Sequence, residues 1–175
     1  MRSRPYCVSA WSPHYVKDKN KLERIQHRFT KLIPGLHRLP YAERLEKLGL
    51  WTLEERRNRA DLIEVFKMAR NLSPIPLSNY FELSTDGRTR GHSLKLVKHR
   101  CKTEIRRHFF SERVINRWNM LDHDTVSVKT VNSFKTKLEK ERSKKMGLFL
   151  DWSARPRGRF SSQRSGRTCE LPVSK

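Results

Sequence analysis

A Thr-x-x-Glu box at Thr52 and Glu55, followed by Leu62, Val65, Phe66, Ala69 and Leu72 at helical spacing, commits part of this chain to a long amphipathic helix. In such a box the threonine side chain accepts from a backbone amide inside the helix while the glutamate reaches back to the cap. Two donors that a helix start leaves orphaned are then satisfied together. Ser73-Pro74 is the expected stop, because the residue before proline is pushed out of the α region. The preceding segment, "LPYAERLEKLGL", reads as a shorter helix closed at Gly49, where a Schellman cap would fold Leu50 back on Leu45.

Upstream, "KLERIQHRFTKLIPGL" predicts a first helix over about 19 to 33, with Asp18 as its cap and Pro34-Gly35 as its stop. At about 100° per residue, Leu22, Ile25, Phe29, Leu32 and Ile33 share one face, and Lys21, Arg24, Arg28 and Lys31 fill a wedge roughly 80° wide beside it. The expected arrangement is an apolar stripe docked on the domain and a positive stripe turned to a partner.

Further on, "STDGRTRGHS" is turn chemistry, and "SLKLVKH" alternates weakly enough to suggest a short extended strand. A fourth helix is expected after Ser111, with Phe110 and Ile115 in hydrophobic-staple register and Val114, Ile115, Trp118 and Leu121 buried. A fifth, over about 130 to 145, offers only Val131, Phe134 and Leu138, which predicts a peripheral position. From Ser153 onward Arg, Ser, Gly and Pro dominate, a composition expected to be disordered. The fold class is therefore mainly α: a small bundle of about five helices with a loop-rich or strand-like middle and a disordered tail. The expected divisions are a lead-in over 1–17, a three-helix basic segment over 18–73, a loop-rich linker over 74–107, a two-helix segment over 108–145 and a basic tail over 146–175.

Composition narrows the partner. Lys and Arg total 39 against 18 Asp and Glu, a formal charge of +21 in 175 residues. That excess is far beyond what solubility requires and points to a polyanion. No run approaches the roughly 18 consecutive apolar residues of a membrane span, and no apolar core of a signal peptide follows Met1. An intracellular location, nuclear or cytoplasmic, is expected, with "KERSKK" as a weak nuclear signal. Cys7, Cys101 and Cys169 suggest no disulfide framework, and His92, His99, Cys101 and His108 have no zinc-finger spacing.

Catalytic signatures are missing from the sequence. There is no G-x-S-x-G, no H-E-x-x-H, no G-x-x-x-x-G-K-[ST] and no Asp-Asp pair. Asp122, His123 and Asp124 form one compact acidic and imidazole group, for which a polar loop is the expected role. No catalysis, cofactor, metal or small-molecule substrate is expected.

The blocks "YCVSAWSPHYVKDKNKLERIQHRFTKLIPGLHRLPYAERLEKLGLWTLEERRNRADLIEVFKM", "RTRGHSLKL", "FFSERVINRWNML" and "VNSFKTKLEK" occur in this order over residues 6 to 142. Together they resemble the region downstream of the polymerase palm in reverse transcriptases of jockey-like non-LTR (LINE-type) retrotransposons. The resemblance implies the thumb and carboxy-terminal part of an RNA-directed DNA polymerase, which helps to hold template and primer. The family's catalytic aspartates belong to a palm motif that no position here matches. The leading "MRSRP", the loop "LDHD" and the tail after about Met146 depart from the family pattern.

The expected nucleic-acid-binding residues are Lys21, Arg24, Arg28 and Lys31 on the first helix, Arg88 and Arg90 at a glycine-bearing turn, and Arg106, Arg107, Arg113 and Arg117 leading into and along the fourth. Trp11 and Trp51 could stack on bases, although burial is the commoner fate of such tryptophans. The expected partner is RNA or an RNA–DNA hybrid, with DNA left open, bound by shape and charge. Two alternatives stand beside this: a helical module whose exposed apolar edge takes a protein partner, and a truncated relic of the element.

Overall fold

The computed structural model describes residues 8, 10, 12–85, 91–144 and 147–150. The chain is mainly helical. It runs through α1 (Val16–Lys31), α2 (Tyr41–Lys47), α3 (Leu53–Ala69), a 3-10 turn (Leu77–Asn79), the short helices α4 (Glu104–Arg107), α5 (Phe110–Arg113), α6 (Ile115–Asn119) and α7 (His123–Val126), and α8 (Val131–Lys144). No helix among the described residues is long and apolar enough to cross a membrane.

The box at Thr52 and Glu55 forms as expected. The Glu55 amide donates to Thr52 Oγ1 at 3.2 Å, and the Thr52 amide donates to Glu55 Oε2 at 3.1 Å. The end of α2 is equally legible: Leu50 N–H donates to Leu45 O at 2.8 Å and Gly49 N–H to Glu46 O at 3.0 Å, with Gly49 at φ 59°. That pair of bonds is a Schellman cap, and the left-handed backbone it needs favours glycine.

The end of α3 departs from expectation. Asn71 takes φ 54° and the same two-bond cap closes there, Leu72 N–H donating to Lys67 O at 2.7 Å and Asn71 N–H to Met68 O at 3.2 Å. An Asn cap therefore ends α3 before Ser73-Pro74 is reached, since asparagine tolerates the left-handed region. The early turn carries Leu72 out of the core to the surface, while Met68 is buried in its stead.

Leu62, Val65 and Phe66 of α3 are fully buried. The Phe66 ring stacks on Phe134 of α8 at 4.2 Å and 10°, and Trp118 of α6 tilts against Phe134 at 6.2 Å. So α8 is central, not peripheral: Phe134 and Leu138 are both fully buried, because two large side chains one turn apart suffice when they meet the aromatic face of α3. Leu148 and Phe149 are buried in the same core, which moves the start of the basic tail beyond them. The expected disorder of the remaining tail falls on residues 151–175, outside the described residues.

The fourth helix is broken into α5 and α6 at Val114, and it starts at Phe110, so Phe110 and Ile115 do not form the expected staple. Its inward face is as expected: Val114, Ile115, Trp118 and Leu121 are buried. The middle segment is less of a linker than its composition suggests. It contains α4, capped by Thr103, and it sends Phe81 and Leu96 into the core. The expected strand amounts to one antiparallel bridge between Leu83 and Leu96. Asn119 holds this segment by accepting from Leu96 N–H at 2.9 Å and donating to Leu96 O at 2.8 Å. Asp122 precedes α7, so the expected polar loop is a helical turn containing His123 and Asp124.

His92 is buried on this segment, its Nε2 2.9 Å from Trp118 O. A bond to a carbonyl requires Nε2 to donate, and Nδ1 has no partner, so protonation would add a charge with no acceptor. Burial accordingly pushes the His92 pKa down, against the opposing effect of the Trp118 bond. A histidine with a depressed folded pKa leaves the unfolded chain holding more protons below about 6.5. Stability should therefore fall as pH drops through that value, at up to about 1.4 kcal/mol per pH unit for this one proton, until the folded pKa is passed. Chemical denaturation of the wild type and of His92→Gln across this range should give the variant the smaller slope.

Candidate nucleic-acid interface

What fastens α1 is a polar stripe. Lys19 pairs with Glu54 at 2.8 Å, Gln26 Nε2 donates to Trp51 O at 2.9 Å, and Glu23 Oε2 accepts from the Leu53 amide at 2.9 Å. Glu23 also accepts from the Tyr41 hydroxyl, whose pKa is pushed up by burial and by that bond. The Glu23 carboxylate thus sits at the N-terminus of α3, where a free amide and the positive end of the helix dipole both favour an anion. Thr30 completes the inner face, fully buried. Arg44 of α2, also buried, donates to His27 O at 3.1 Å and reaches His27 Nε2 at 3.2 Å. Partial burial, then the charges of Arg44 and Lys31, push the His27 imidazole below its ordinary value and keep it the neutral acceptor that this contact needs.

This inner face reverses the expected orientation. Ile25, Phe29 and Leu32 are not docked on the domain but are 66%, 62% and 80% exposed, while Leu22 and Ile33 are half-buried at the edge. Lys21, Arg24, Arg28 and Lys31 are exposed as well, Lys21 with Asp18 at 3.7 Å. The expected adjacency of the two stripes survives, but both look outward. The signal that could have found this is the spacing of Lys19, Glu23, Gln26 and Thr30, which is itself helical and polar.

The other expected residues divide. Arg106 and Arg107 of α4 are exposed, Arg106 with Glu112 at 3.8 Å and its guanidinium 5.8 Å from the Phe109 ring. His108, just after α4, stacks on His14, just before α1, at 4.3 Å, so the chain segments carrying these cations are in contact. Arg88 and Arg90 lie outside the described residues. Arg117 is half-buried and donates to Arg113 O at 3.3 Å.

Arg113 must leave the set. It holds Asp61 with two bonds at 2.8 and 3.0 Å, and donates to His108 O and Val8 O at 3.1 Å each. A guanidinium with four donor contacts inside the fold has almost nothing to offer a phosphate. Burial pushes the Asp61 carboxyl above its ordinary value while Arg113 pulls it back. Trp51 is likewise unavailable to bases: Arg59 and Arg142 lie over its ring at 4.6 and 4.5 Å, and its indole N–H donates to Glu139 at 2.8 Å. Trp11 lies outside the described residues. His92, His99, Cys101 and His108, expected to form no metal cluster, meet other groups: His92 Trp118 O, His99 Glu82 at 3.3 Å, His108 the His14 ring, and the half-buried Cys101, which is in no disulfide, His99 O at 3.9 Å.

The outer face of α1 therefore combines four exposed cations with an exposed aromatic ring and exposed aliphatic side chains. Compared with protein-family models, curated proteins and solved structures, the chain matches none.

Proposed function

We propose that this chain is a nucleic-acid-binding segment of the kind that follows the polymerase palm in LINE-type reverse transcriptases, holding RNA or an RNA–DNA hybrid without chemistry of its own. The observation that carries the reading is the outer face of α1, where Lys21, Arg24, Arg28 and Lys31 are exposed beside an exposed Phe29. Lys21 to Lys31 spans about 15 Å at 1.5 Å per residue, enough for around four phosphates of one strand. Cations track the backbone, and an aromatic face accepts any base, so binding is expected to tolerate sequence. The ordered blocks over residues 6 to 142 support the same reading, and Arg106 and Arg107 extend the positive surface from α4.

A second reading rests on Leu32 and Ile25, whose exposure gives α1 an apolar edge suited to a protein partner. Phe29→Ala separates the two. If Phe29 stacks on a base, the substitution weakens single-stranded RNA binding by about 1 to 3 kcal/mol while the salt slope stays put. If the edge serves a protein, RNA affinity is unchanged by Phe29→Ala, and association with the partner persists at high salt and after nuclease treatment. Filter binding across a salt series reads the first outcome directly.

A further inference from the structure

Between Leu96 and Phe110 the fold displays a short basic segment. Both ends are anchored: Asn119 pairs with the amide and the carbonyl of Leu96, and Phe110 is buried in the core. Residues 98–107 carry Lys98, Arg100, Lys102, Arg106 and Arg107 against a single carboxylate, Glu104, and all of these side chains are exposed. Lys98 donates to Glu112 O at 2.6 Å and Arg106 lies 3.8 Å from the Glu112 carboxylate, so these two are partly engaged. Arg100, Lys102 and Arg107 have no ion-pair partner among the described residues.

Amid these cations two large apolar side chains face water. Ile105 and Phe109 are 72% and 53% exposed, and the Arg106 guanidinium lies 5.8 Å from the centre of the Phe109 ring. The outer face of α1 has the same makeup in Ile25 and Phe29, again four residues apart and again flanked by exposed cations. Solvation accounts for the charges but not for the ring, whose exposure to water is unfavourable. Cations in series with an aromatic face among them match a polyanion whose bases are free to stack.

We propose that residues 98–109 form a second nucleic-acid contact surface, which takes an unpaired RNA strand: Arg100, Lys102 and Arg107 hold its phosphates and Phe109 stacks on a base. A duplex would satisfy the cations but leave the ring idle, because its bases are already stacked on one another. The choice of RNA rests on the reading of α1, whereas the surface rests on its own residues. The two adjoin, since His108 just after α4 stacks on His14 just before α1.

Filter binding of the full chain to single-stranded RNA across a salt series tests it. Removing three phosphate contacts with Arg100→Gln, Lys102→Gln and Arg107→Gln together should flatten the log–log slope by about 2.1 and weaken binding on the order of 50-fold at about 0.15 M salt. The control removes equal charge with Lys135→Gln, Lys140→Gln and Lys144→Gln, exposed on α8 and assigned no contact. All six side chains are exposed, so both triple variants should melt like the wild type. An equal loss of affinity in the two would overturn the proposal in favour of diffuse attraction. Phe109→Ala should weaken binding to the unpaired strand by about five- to 100-fold, leave the slope in place and spare an RNA duplex. Equal loss on strand and duplex would mean that the ring does not stack, and the assignment would fall. Reversing Arg24, Arg28 and Lys31 to glutamate in the same assay keeps the two surfaces apart. Loss in that α1 variant alone ends this proposal and leaves α1 standing; loss in the 98–109 variant alone does the reverse.

Discussion

Reversing Arg24, Arg28 and Lys31 to glutamate should weaken single-stranded RNA binding on the order of 50-fold near 0.15 M salt, because three of four backbone contacts on α1 are lost. The same triple variant should flatten the salt dependence. Four contacts contribute a log–log slope near −2.8 on a single strand and −3.6 on a duplex, and a lone Lys21 contact leaves about −0.7 on the single strand. Folding should hardly change, since all three side chains are exposed and substitutions of this kind stay within about 0.5 kcal/mol. The control is an equal charge reversal elsewhere, at Arg155, Arg157 and Arg159. If that tail variant loses as much affinity as the α1 variant, the helix has no special part in binding and the proposed interface fails.

The second large effect separates architecture from binding among the arginines. Arg113→Ala should destabilise the fold by about 3 to 5 kcal/mol, because it strands the buried Asp61 carboxylate without its partner. Replacing both members, Asp61→Leu with Arg113→Met, should recover most of that loss, since a well-packed apolar pair needs no desolvation. Urea denaturation gives both numbers. Should Arg113→Ala melt like the wild type and lose RNA instead, Arg113 would return to the binding surface.

Caps and core were legible in the sequence for a definite reason. The Thr52–Glu55 box and the Gly49 turn depend on backbone groups within a few residues, so local chemistry decides them. Leu62, Val65, Phe66, Val114, Ile115, Trp118 and Leu121 were equally readable, because each lies on the only large apolar face its segment offers. The long-range pairing of Phe66 with Phe134 was not, and without it α8 looked marginal. The stop of α3 at Asn71 was not legible either, because the proline three residues later is the louder signal for a helix end.

At the candidate interface the residue types were readable and the orientation was not. Hydrophobic periodicity predicts which face a helix buries only when burial is what attaches it. On α1 attachment comes from Lys19, Glu23 and Gln26 meeting partners on α3 and the turn before it, and no local rule anticipates those partners. Arg113 illustrates the complementary failure: exposed and buried arginines are identical as letters, and Asp61 lies far away in the chain.

A helix tethered mainly through hydrogen bonds and ion pairs exposes little apolar surface when it lifts. Undocking α1 would solvate Lys19, Glu23 and Gln26, groups that water satisfies almost as well as the protein does. The α3–α8 core could stay intact beneath it. The first helix thus contributes no side chain to the apolar core, and its hold on the body is one of hydrogen bonds and ion pairs.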